Sequence, residues 1–162
     1  MPARSETSVG PADGYIFYEN PAYDYRSPTW KYLEVRNREG TGTREIWCDS
    51  DDASTVVDGT VATIGYGKDN TDRIVDILGI SSLANKILST PTNGFSDWFL
   101  PSVDELEEIH TTLNSAGIDP MPGRSGFCWS STEGSSTYAW GFNTKSGGNR
   151  NSIKEIYSMY WK

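Results

Sequence analysis

Four groups of residues in this chain are of types that could carry chemistry, and their spacing decides against each. Gly65-Tyr66-Gly67-Lys68-Asp69 has the glycines and the lysine of a loop that cradles phosphate. Such a loop needs an earlier glycine, where Ala62 stands, and a Ser or Thr to hold magnesium, where Asp69 stands. Read as G-x-G-x-x-G, the string lacks its third glycine, because Asn70 is there. Asp49-Ser50-Asp51-Asp52 could gather oxygens around calcium, but an EF-hand loop counted from Asp49 would want Gly and Glu where the chain has Ser54 and Thr60. His110 is the only histidine, so no second imidazole exists for a zinc site, and a Ser-His-Asp triad built on it would lack a nucleophile elbow. Cys48 and Cys128 are 80 positions apart and belong to no metal-ligand spacing. They are left as either a disulfide, given an oxidising compartment, or two buried thiols behaving as small hydrophobes. No catalytic residue, metal or cofactor is therefore expected.

The residues that remain suit binding. Tyr and Trp give large contact area with few torsions, while Ser, Gly and Asn adapt their hydrogen bonds. That mixture gathers late in the chain, and the candidate ligand-binding residues are Thr137, Tyr138, Trp140, Phe142, Asn143, Lys145, Asn149, Asn151, Ser152, Ile153, Glu155 and Ile156. Charge sets the same stretch apart: residues 1–125 carry a net −10 and residues 126–162 a net +2, within a total of −8. An acidic body argues against a general nucleic-acid binder. No apolar run approaches the roughly 20 residues of a membrane span, and Met1–Glu6 lacks the apolar stretch of a signal peptide. Display on a cell surface or virion would thus need another route or partner.

The elements that must position these residues read as follows. Residues 1–13 are polar and Gly/Pro-bearing, a flexible leader, and residues 14–162 form one domain. Gly14–Glu19 and Trp30–Val35 have β-favouring side chains, and residues 37–60 read as an acidic loop. Thr71 can cap a helix with apolar Ile74, Ile77 and Leu78, ended by Gly79; Leu83, Ala84, Ile87 and Leu88 suggest a short second one. The clearest helix follows Pro101. Ser102-Val103-Asp104-Glu105 is a capping box, Val103, Leu106, Ile109 and Leu113 form its buried stripe, and Gly117 stops it. From Gly126 the text is strand and turn: Phe127–Ser131, Thr137–Thr144, a Gly147-Gly148 turn, then Glu155–Lys162 with Tyr157, Met159 and Trp161 toward the core. Strands at both ends with two main helical segments and long loops between them give an α+β domain.

Asp97-Trp98-Phe99-Leu100-Pro101-Ser102, with Glu105-Leu106, resembles the D-W-(R/F)-L-P-(S/T)-x-x-E-L signature of the bacterial DUF1566 (Lcl C-terminal) family. Trp129-Ser130-Ser131-Thr132-Glu133 and Ala139-Trp140 resemble its W-S-S-T-E…A-W segment, and similar strings extend the likeness over residues 14–162. The resemblance implies a C-type-lectin-like fold, related to formylglycine-generating enzymes, in which the N- and C-terminal strands pair. The family commonly closes on Y-x-V-R-x-V-R; here Tyr157-Ser158-Met159-Tyr160-Trp161-Lys162 lacks those arginines. The calcium-lectin triplets E-P-N, Q-P-D and W-N-D are also absent.

Residues 129–160 further resemble the mutagenised segment of diversity-generating retroelement variable proteins. Asn149-Arg150-Asn151-Ser152-Ile153-Lys154-Glu155-Ile156 looks like an Asn-rich run with several positions replaced. The resemblance implies a non-enzymatic module that binds ligand, most plainly a protein, through a variable C-terminal surface. A carbohydrate-binding module of fixed specificity is the competing reading, with a glycan as partner. A copper-dependent oxidase of the formylglycine-generating kind would need close cysteines, and only Cys48 and Cys128 are available.

Overall fold

The computed structural model describes residues 7–24, 30–36, 44–118, 126–155 and 158–160. In chain order these form β1 (Tyr15–Glu19), β2 (Tyr32–Val35), β3 (Arg44–Glu45), α1 (Gly67–Leu78), a 3-10 turn (Gly79–Ser81), α2 (Leu83–Leu88), α3 (Val103–Ser115), β4 (Phe127–Glu133), β5 (Tyr138–Asn143), β6 (Gly148–Ile153) and β7 (Ser158–Tyr160). The class is α+β. One sheet is the antiparallel pair β1-β2; the other has five strands in the order β3-β7-β4-β5-β6. Within it β7 runs parallel to β4, and the other pairs are antiparallel.

This topology differs from the expected pairing of terminal strands. Among the described residues β1 pairs with β2 and β7 with β3 and β4. The first and last described strands, β1 and β7, therefore lie in different sheets. Tyr157 and Trp161 lie outside the described residues, and Met159 is described only by its backbone pairing with Arg44 and Cys128, so the expected facing lies outside what is described. Residues 7–13, read as part of a flexible leader, pack onto the domain. Val9 bridges to Tyr15, Ile16 N donates to Ser8 O at 2.9 Å, and Ala12 lies in the core at 6% exposure.

The helices follow the apolar pattern, with local exceptions. On α3 the stripe Val103, Leu106, Ile109 and Leu113 is buried. Ser102 Oγ accepts from Glu105 N at 3.3 Å, and Glu105 Oε2 accepts from Ser102 N at 2.8 Å, closing the capping box. Gly117 takes φ +74° just past the helix, the left-handed conformation that glycine tolerates. The start of α1 differs from the expected Thr71 cap: the helix begins a turn earlier, and Thr71 is buried within it. The Thr71 hydroxyl donates to Gly67 O at 2.6 Å and accepts from Leu100 N at 3.0 Å, tying α1 to the segment ahead of α3. Ile74 and Leu78 are buried, whereas Ile77 is 44% exposed.

Side chains alternate across the β4–β5 pair, so the sheet has core on both faces. Trp129 and Ala139 join Trp47, Ile74, Leu78, Leu83 and Ile87 in one cluster. Cys128 and Phe142, which are register partners, join Phe17, Leu33, Val35, Leu106, Ile109 and Leu113 in the other. Cys48 and Cys128 thus lie as buried thiols in separate clusters. Trp98 and Trp129 are core residues at 7% and 0% exposure.

Candidate functional site

β5 and β6 form a hairpin paired from Tyr138↔Ile153 to Asn143↔Gly148, and β6 is the edge of the sheet. Antiparallel partners directly opposite share a face. Tyr138 and Ile153, then Trp140 and Asn151, then Phe142 and Asn149, therefore make three rungs on one face. Exposure grades along these rungs. Tyr138 and Ile153 are 40% and 39% exposed, Trp140 is half-buried, and Phe142 is buried at 1%. On β6, Asn149, Arg150 and Asn151 are exposed and Ser152 is half-buried. Thr137, Lys145 and Glu155 are also exposed.

Two candidate residues have other occupations. Phe142 is core, not surface: its ring lies 5.0 Å from that of His110 on α3, and it packs in the cluster with Leu106 and Ile109. Asn143 makes the turn. Its Oδ1 accepts from Lys145 N at 3.0 Å and Ser146 N at 3.1 Å, while Gly147 N donates to Asn143 O and Gly147 supplies φ +68°. Ile156 lies outside the described residues. Arg150, absent from the candidate set, is exposed opposite Gly141 in the same ladder.

The corner beneath the hairpin is held by a buried ion pair that the sequence did not signal. Lys154 Nζ lies 2.6 Å from Glu133 Oε1, with side-chain exposures of 0% and 7%. The ammonium also donates to Thr55 O at 2.9 Å and Ser136 O at 2.8 Å, and sits 4.9 Å above the Trp47 ring. Glu133 in turn accepts from Val57 N at 2.9 Å. Lys154 therefore contributes no surface charge, and the exposed charges of residues 126–155 are Lys145, Arg150 and Glu155.

The other chemistry-bearing groups are engaged internally. The amides a phosphate would need are turned to Glu105, whose Oε1 accepts from Gly65 N at 2.8 Å and Gly67 N at 3.3 Å. A Cβ at Gly67 would come within 2.2 Å of that carboxylate, so only glycine fits there. Burial pushes the Glu105 carboxyl above its ordinary pKa, and the three amides pull against that shift. Asp52 accepts from the Ser81 hydroxyl, which closes the acidic loop on the 3-10 turn. Burial pushes the Cys48 thiol up to about 11, so it holds little thiolate near neutrality. Among the described residues no three of His, Cys, Asp and Glu are grouped to hold a metal. Nor is any helix among them long and apolar enough to cross a membrane.

A separate cavity of about 300 Å³ opens between the β1-β2 sheet, residues 95–101 and α3. Reading the sequence by motif missed it, because its walls come from segments far apart in the chain. The aromatic density of residues 15–32 and the Asp97–Pro101 motif are the signals that could have drawn attention there. No family model matches this chain, and no curated protein matches it.

Proposed function

We propose that the chain is a non-enzymatic ligand-binding module with a C-type-lectin-like architecture. It presents the β5–β6 hairpin to a protein ligand, in the manner of diversity-generating retroelement variable proteins. One observation carries the reading: β6 is an edge strand of polar residues and glycine apart from Ile153, which is 39% exposed, and none of its residues joins either core cluster. Asn149, Arg150, Asn151 and Ile153 can therefore change without opening a cavity. Tyr138 and Trp140 beside them offer the aromatic anchors on which binding energy concentrates. The burial of Cys48 and Cys128 in separate clusters supports a binding role over an oxidase that needs them together.

The test is a displayed library randomised at Thr137, Tyr138, Asn149, Asn151, Ser152, Ile153 and Glu155, panned on several purified proteins, with the parent chain run on a glycan array. Recovery of folded clones specific for different proteins supports the reading. A library that yields only unfolded clones, or a parent that binds one glycan through residues outside the hairpin, contradicts it.

A further inference from the structure

We propose that the cavity beneath the β1-β2 sheet is a second ligand site, for a small molecule carrying one aromatic ring system. It stands apart from the β5–β6 hairpin and uses none of its residues. The buried part of the wall is hydrocarbon: Phe17, Leu33, Val35, Trp98 and Ile109 line it and are each at most 7% exposed. Two of the polar side chains that line it are already engaged. Glu34 takes Gly14 N at 2.6 Å and Ala12 N at 3.3 Å, and Trp98 Nε1 donates to Thr92 O at 3.0 Å. A sugar pushed inside would leave hydroxyls without partners, which costs free energy, whereas a ring would not.

Size and the mouth narrow the class further. An apolar cavity of about 150 Å³ holds one benzene, so about 300 Å³ accommodates two fused rings. Tyr32 and Phe95 also line the cavity and are its aromatic side chains most open to solvent, at 40% and 37% exposure. Exposed Lys31 and Asp97 and half-buried Glu34 bring one basic and two acidic groups to the lining. The Lys31 ammonium is held over the Tyr32 ring at 4.7 Å, a cation–π contact that keeps it beside the opening. A ring thus enters between aromatic faces while its polar substituents remain at the mouth. Asp97, Trp98, Phe99 and Pro101, from the most distinctive motif of the sequence, all face this space.

The experiment is a titration of the full chain with indole, followed by methyl NMR, with glucose as the comparison ligand. The methyls of Leu33, Val35 and Ile109 should shift together and saturate at submillimolar indole, while Ile80, 92% exposed on the 3-10 turn, stays put. Tyr32→Ala at the mouth should weaken indole severalfold. Ala12→Leu should abolish binding by filling the space; should that variant not fold, the wild-type titration and Tyr32→Ala decide alone. Absence of saturable shifts, shifts spread over the molecule, or a response to glucose in place of indole would each overturn the proposal.

Discussion

The Lys154 ammonium donates a hydrogen bond to each of three oxygens and sits over an indole ring, fully out of solvent. Removing it would leave Glu133 charged and without its cation in the interior, the costliest way to break such a pair. Lys154→Met is expected to cost about 3–5 kcal/mol in chemical denaturation. Lys154→Met with Glu133→Gln should cost clearly less, because the uncompensated charge is gone and the Val57 amide keeps an acceptor. A neutral single variant would show that the pair is solvated. Cys48 gives a second residue-level prediction. Burial raises its folded pKa to about 11, above the 9.0 of a free thiol. The folded state therefore holds the thiol proton more tightly, and stability is lost as pH rises from about 9 to about 11. The loss approaches roughly 2–3 kcal/mol at 1.36 kcal/mol per unit. Denaturation midpoints of wild type and Cys48→Ala, compared from pH 8 to 11, isolate this slope from the rest of the molecule. Parallel curves would show that Cys48 is not the cause. The burial of Lys154 was not legible in the sequence, since a lysine in an Asn/Ser-rich run reads as solvated surface, whereas a buried Cys48 was one of the two readings the sequence left open.

Elements were legible where local chemistry decides them. The α3 capping box needs only Ser102 and Glu105 three residues apart, and the apolar stripe needs only its spacing; both are present as read. The start of α1 was not legible, because its first amide is received by Glu105, 38 positions away. β6 was missed for a different reason. Gly148–Ile153 has no hydrophobic alternation, and it is a strand because β5 supplies the ladder, not because a face must be buried. These assignments set the element-level expectations. Leu106→Ala should cost about 2–4 kcal/mol, and Ser102→Ala about 1 kcal/mol through the lost cap. Asn149→Ser and Asn151→Ser should each stay within about ±0.5 kcal/mol. Equilibrium unfolding of the four variants checks the order, and an Asn substitution as costly as Leu106→Ala would place β6 in the scaffold.

Across the whole molecule, two core clusters sandwich the β4–β5 strands and leave the hairpin edge outside both. The α+β class and the late position of the candidate surface followed from sequence. The partition of that surface did not: Phe142 belongs to the core, Asn143 to a turn, and Lys154 to an internal lock, because a strand's alternation and a loop's contacts are settled by partners far along the chain. The central claim is that the exposed remainder is separable from the scaffold. The most direct measurement is the melting temperature of one variant in which Thr137, Tyr138, Asn149, Asn151, Ser152, Ile153 and Glu155 are all replaced, with Phe142, Asn143 and Lys154 kept. A cooperative transition within a few degrees of wild type is the expected result, roughly what seven surface changes of a few tenths of a kcal/mol each would give. Loss of the cooperative transition would show that the hairpin edge is part of the scaffold and contradict the account.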